Sequence, residues 1–70
     1  MSYVTKNVSR YVKDKKINIS GMARDTGLSY QALYTSLCDE ERERSLRDDE
    51  LVTVCKFLGV NPMDFVEERR

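Results

Sequence analysis

The sequence has no histidine, only two cysteines and no long apolar run. Two thiols without histidine supply neither four zinc ligands nor a disulfide framework, so we expect Cys38 and Cys55 to be reduced thiols and expect no metal site. No serine or cysteine has an apparent base partner and no glycine-rich phosphate loop occurs, which argues against an enzyme, a cofactor or a small-molecule substrate. Without an apolar stretch of about 18 residues or a secretory leader, we expect no membrane span and a cytoplasmic location.

The charges are balanced in number but not in position. The chain has 12 basic and 12 acidic residues, so its formal net charge is zero. Residues 1–24 hold six basic side chains against one acid, whereas residues 37–50 hold three against seven, which gives these segments charges near +5 and −4. Such an asymmetry can orient a domain on a phosphate backbone even when the total charge is nil.

Apolar residues recur at helical spacing along most of the chain. At 70 residues the chain is long enough for one domain, here 1–70, which buries only about 60% of its unfolded surface. The pattern predicts an all-α fold of five helices. We place them at about 3–15, 19–25, 29–38 and 46–58, the last with Ser45 as cap and Asp48 as its reciprocal partner, with a short fifth helix over Met63, Phe65 and Val66.

Residues 18–38 read as two short helices joined by a tight turn. Asn18 and Ser29 suit helix N-caps, and Gly27 suits the left-handed conformation that ends the first helix. Ala23 leaves room for the second helix to cross closely. Five further side chains of this segment can face inward: Met22, Thr26, Leu28, Leu33 and Leu37. This spacing is the signature of a helix-turn-helix.

Met22-Ala23, Gly27-Leu28-Ser29 and Leu33 resemble the helix-turn-helix of the phage repressor and Cro-like family of DNA-binding domains, the lambda repressor-like or XRE-type domains. The similarity continues through residues 45–59 and 60–65, so it covers most of the chain. The resemblance implies a compact lambda-repressor-like fold and sequence-specific binding of double-stranded DNA. It places the second helix of the motif in the major groove.

The resemblance also implies which side chains of the second motif helix reach base edges. These are Ser29, Tyr30, Gln31, Tyr34 and Thr35. The amide of Gln31 matches the donor and acceptor pattern of adenine, which makes it the best candidate for direct readout. A tyrosine pair on a helix is often packing, but Leu33 and Leu37 already occupy the inward face, so we expect the tyrosines to face solvent or DNA.

The resemblance and the basic segment together indicate a set of phosphate contacts: Lys6, Arg10, Asn18 and Arg24. Such contacts supply affinity without sequence information. The competing interpretation is that these side chains only solvate the surface.

Two features depart from the family pattern. Ser36 stands where the family usually has an apolar residue, and the acid-rich segment 39–44 stands where it usually has a short Asn-Gly turn with basic residues. Either this loop swings away from DNA with Arg42 and Arg44 pointing in, or DNA binding is weak. It could also serve a protein partner or be a solvated loop.

From this we expect a small Cro- or repressor-like transcriptional regulator of a phage or mobile element, which binds a DNA operator as a homodimer and acts by occupying it. The alternative is a protein-interaction module, an antirepressor-like or antitoxin-like partner that keeps the fold with weak DNA affinity. The zero net charge and the acidic loop support the alternative.

Overall fold

The computed structural model describes residues 3–39, 41 and 44–66. In these residues it has four α-helices and no strand: α1 (Tyr3–Asp14), α2 (Ile19–Thr26), α3 (Tyr30–Leu37) and α4 (Asp48–Leu58). The all-α prediction is confirmed. None of the helices in the described ranges is long and apolar enough to cross a membrane.

The predicted fifth α-helix is instead a single 3-10 turn over Pro62–Phe65. Asn61 caps it by accepting a hydrogen bond from the Met63 N–H at 2.9 Å. The Asp64 N–H bonds to the carbonyl of Asn61, three residues back rather than four. Short 3-10 turns of three or four residues are common as connectors and at helix ends.

The core lies where the four helices and the 3-10 turn meet. Its buried apolar residues come from every element: Val8, Val12, Met22, Ala23, Leu33, Leu37, Val54, Cys55 and Phe65. α3 packs against both α1 and α2, and α2 packs against α4. The helix that is expected to meet DNA is therefore supported from two sides. Of the residues that we predicted to face inward, Thr26 and Leu28 are only half-buried.

α4 begins two residues later than the predicted Ser45 cap implies. Its first residue is Asp48, and the reciprocal carboxylate belongs to Glu50, which accepts the N–H of Arg47 at 2.9 Å. Arg47, and not Ser45, is the N-cap of α4. The Leu46 N–H donates to Thr5 Oγ1 at 3.0 Å, across 41 residues of sequence, and so ties the segment before α4 to α1.

The C-terminal turn is fastened to α1. The rings of Tyr11 and Phe65 meet edge to face with centroids 5.7 Å apart. Asn7 donates to the Phe65 carbonyl at 2.9 Å, and the Tyr3 hydroxyl donates to the carbonyl of Val66. Met63, by contrast, is 65% exposed, so only part of this apolar segment enters the core.

Candidate nucleic-acid interface

The turn between α2 and α3 is built from local hydrogen bonds. Asn18 Oδ1 accepts the Gly21 N–H at 3.1 Å and so caps α2. Gly27 has a φ of 79°, a left-handed conformation, and its N–H bonds to the Ala23 carbonyl at 2.9 Å. Thr26 Oγ1 donates to the Met22 carbonyl and accepts the N–H of Leu28, the residue that follows Gly27. The chain therefore leaves α2 in one defined direction.

α3 presents the side chains that we predicted for base readout. Ser29 caps the helix by accepting the Ala32 N–H at 3.3 Å. Leu33 and Leu37 are fully buried beneath it, as the sequence predicted. The five side chains of the predicted readout set differ in exposure: Ser29, Tyr30, Gln31 and Tyr34 are exposed, and Thr35 is half-buried.

The rings of Tyr30 and Tyr34 stack on one another on this surface. Their centroids are 6.0 Å apart and their planes differ by 29°. Tyr30 is 49% exposed and Tyr34 46%, so about half of each side chain is open to solvent. Stacked rings at this distance attract one another. The structure therefore places an exposed aromatic pair at the start of α3.

The predicted phosphate contacts lie on α1, at the cap of α2 and on α2. Lys6, Arg10, Asn18 and Arg24 are all exposed. The side-chain oxygen of Asn18 accepts the cap hydrogen bond, and its amide nitrogen, the donor of this side chain, is the atom that could bind a phosphate. The N-terminus of α2 is also a source of N–H groups and partial positive charge.

Arg44 points into the protein rather than toward a ligand. Its guanidinium donates to Ser36 Oγ and to both carboxylate oxygens of Glu50, each of the latter at 3.1 Å, and lies 3.5 Å from the Ala32 carbonyl. Ser36 is fully buried. The buried serine of α3 is thus satisfied by an arginine from the acid-rich segment. The described contacts of Arg44 are all within the protein, and Arg42 lies outside the described residues.

Glu50 is the buried acid of this cluster, with a side chain 11% exposed. Burial by itself raises the pKa of Glu50. The hydrogen bond from Arg44, the backbone N–H of Arg47 and the positive charges of both arginines outweigh burial, so the pKa lies below the ordinary glutamate value. Glu50 is consequently ionised at neutral pH and binds Arg44 as a charged pair.

α3 is also tied to α1 at its C-terminal end. Ser9 Oγ donates to the carbonyl of Leu37, one of the last carbonyls of the helix. Burial raises the pKa of Cys38, opposed by the charge of Lys13, and burial together with Asp64 raises that of Cys55. Both thiols are free. A raised pKa lowers the thiolate fraction, so these cysteines act as small apolar side chains.

Sequence reasoning missed Arg44 and Glu50 as residues that position α3. The available signal was Ser36, because a buried hydroxyl on an inward helix face requires a partner. Within residues 3–39, 41 and 44–66, no group of three or more histidine, cysteine or acidic side chains could hold a metal ion.

α2 and α3 are two short helices with a left-handed glycine between them, and α3 is capped and exposed at its start. This arrangement defines a helix-turn-helix protein. The family model described as Cro/C1-type HTH DNA-binding domain matches residues 7–67, and the chain belongs to that family. The predicted family is thereby confirmed. No curated protein and no solved structure matches the chain.

Proposed function

We propose that this protein is a sequence-specific transcriptional regulator that binds an operator in double-stranded DNA and acts by occupying it. The observation that carries the proposal is α3, whose first turn exposes Tyr30 and Gln31 while Leu33 and Leu37 anchor its other face. Membership of a DNA-binding family supports major-groove docking of this helix. Repression is the simplest outcome because occupancy alone blocks transcription.

The charge distribution supports the phosphate part of the proposal. Lys6, Arg10 and Arg24 are exposed on the helices that flank α3. Arg44, the last residue of the acidic segment, binds Ser36 on α3 and Glu50 on α4. Residues 40, 42 and 43 lie outside the described residues, so the position of the acidic loop relative to DNA stays a prediction.

A homodimer is part of the proposal because family members commonly read two half-sites about one helical turn apart. Sedimentation of the protein with and without a selected duplex measures this. We expect two protomers on each duplex. One protomer on a duplex that is bound tightly and specifically contradicts the dimer without contradicting DNA binding.

The function is tested in two experiments. The protein first selects duplexes from a random-sequence library. The selected duplex and a scrambled duplex are then titrated with the protein at two salt concentrations. We expect enrichment of one sequence and a steep fall of affinity with salt, because phosphate contacts release counterions. No binding at low salt, or binding that ignores salt, contradicts the proposal and favours the protein-interaction module that the zero net charge suggests.

The role of Gln31 is tested on the same selected duplex. Replacing Gln31 with Ala should relax discrimination at one base pair, by about 1–3 kcal/mol for the loss of a bidentate contact. The side chain is exposed, so the fold should remain intact. An unchanged base preference in a folded variant contradicts the assignment of Gln31 to base readout.

A further inference from the structure

We propose that the stacked pair Tyr30 and Tyr34 reads the 5-methyl groups of thymine in the major groove. The inference rests on the proposed function, since it requires α3 to lie in that groove. It goes further by naming the chemical group on the DNA that two particular side chains recognise.

α3 presents an uncharged surface. Its eight residues, Tyr30–Leu37, include no charged side chain, and its first turn begins with an aromatic ring. Tyr30 and Tyr34 are about half exposed, Gln31 is exposed and Thr35 is half-buried. α3 therefore presents the polar side chains of Gln31 and Thr35 beside an aromatic pair, with the cations carried by other helices.

The major groove presents mostly polar groups. The base edges there carry hydrogen-bond donors and acceptors, and the 5-methyl of thymine is the apolar group among them. An exposed aromatic patch gains most by covering an apolar group, whereas Gln31 suits the polar edge of adenine. The chemistry of α3 thus favours a site rich in A·T pairs, with the tyrosine rings on the methyl groups.

The two rings are already stacked on the free protein. Their centroids are 6.0 Å apart, and Leu33 and Leu37 anchor the helix beneath them. Side chains that are already ordered lose less entropy on binding. A preformed pair is therefore better suited to recognition than two freely rotating rings. The stacked rings also lie outside the hydrophobic core, so they are not needed to fill it.

The test replaces each thymine of the selected duplex, one at a time, with deoxyuridine. This removes the methyl group and leaves base pairing unchanged. Covering one methyl corresponds to about a fourfold gain in affinity. We expect one or two positions at which deoxyuridine weakens binding about fourfold each, and no effect at the others. The absence of any sensitive position in a duplex that contains thymine within the protected site overturns the inference.

Four variants assign the effect to the rings. Tyr30→Phe and Tyr34→Phe keep the ring and should keep the deoxyuridine effect, whereas Tyr30→Ala and Tyr34→Ala should bind thymine and deoxyuridine duplexes equally at one position each. If the Phe variants instead bind the thymine and deoxyuridine duplexes equally, the hydroxyls and not the rings carry the discrimination, and the inference is overturned. Both side chains are half-exposed, and circular dichroism checks that each variant is folded.

The two proposals fail in different ways. If the library yields no enriched sequence, the proposed function fails before the methyl test begins. If a sequence is enriched and bound with a steep salt dependence, but every thymine can be replaced by deoxyuridine without loss, only the methyl-reading role of the tyrosines is wrong.

Discussion

Arg44 and Glu50 form a paired contact in which two guanidinium nitrogens meet two carboxylate oxygens, each pair 3.1 Å apart. The same guanidinium holds the hydroxyl of Ser36 on α3. A single side chain from the acidic loop therefore joins α3 to the beginning of α4. Planar arginine is suited to this because its donors point in fixed directions.

Removing either member of this pair should destabilise the domain. Arg44→Met removes the guanidinium that donates to Ser36 and Glu50, at a cost of about 2 kcal/mol, less than for a fully buried pair because Arg44 is 31% exposed. Urea unfolding of Arg44→Met, Glu50→Gln and the double variant measures the coupling, which we expect to be about 0.5–3 kcal/mol. Lys56→Ala, an exposed control on α4, should change stability by less than about 0.5 kcal/mol. Strictly additive costs would show that the pair is not coupled.

The stability that Glu50 contributes should depend on pH. Because the pKa of Glu50 is lowered in the folded state, the unfolded state binds more protons in the window between the two values. The contribution is fully present above the unfolded value of about 4.3 and is lost as the pH falls through the lower folded value. The free energy of unfolding of the parent should therefore exceed that of Glu50→Gln most at neutral pH, and the difference should shrink on acidification. A difference that is constant from pH 7 to pH 3 contradicts the assignment.

Two glycines of the helix-turn-helix should respond to alanine in opposite directions. Gly27 has a positive φ, so Gly27→Ala should cost about 1–2 kcal/mol although a Cβ there would meet no atom within 4 Å. Gly21 lies inside α2, where its Cβ would make only ordinary contacts, so Gly21→Ala should stabilise by up to about 1 kcal/mol. Thermal melts measure both. Equal shifts in the two melting temperatures would argue against a left-handed turn at Gly27.

Truncation of Leu33 should show that the inner face of α3 is core. Leu33 is fully buried, so Leu33→Ala should cost about 2–5 kcal/mol in urea unfolding. The matched control is Val52→Ala on α4, where the side chain is 49% exposed, and we expect a change of less than about 0.5 kcal/mol. If the two variants unfold at similar urea concentrations, Leu33 is not buried as described.

Loss of one basic side chain from the predicted phosphate set should weaken binding to every sequence. Lys6→Ala, Arg10→Ala and Arg24→Ala should each reduce the salt slope by about 1, because one phosphate contact disappears. Lys56→Ala, an exposed lysine of α4, is the control and should leave the slope unchanged. These assignments are contradicted if a variant loses affinity only for the selected duplex and binds the scrambled duplex as tightly as the parent does.

The helix-turn-helix could be predicted from the sequence because its determinants are local. Asn18, Gly27 and Ser29 act on backbone groups within a few residues of themselves, and these are the caps and the turn that the structure contains. The outward position of Tyr30 and Tyr34 also followed locally, since Leu33 and Leu37 occupy the opposite face of one helix. The family resemblance carried by the same residues is confirmed over residues 7–67.

By itself, then, the sequence determined the four α-helices, the caps at Asn18 and Ser29 and the family, because hydrogen bonds within one turn and the helical repeat need no distant partner. Only the tertiary structure decided where α4 begins and what Arg44 does. The Leu46 N–H donates to Thr5 Oγ1, 41 residues away in sequence, and Arg44 binds Ser36 and Glu50 on two different helices. These partners lie on other helices and come together only when the chain is folded, so the local pattern around Ser45 could not show them.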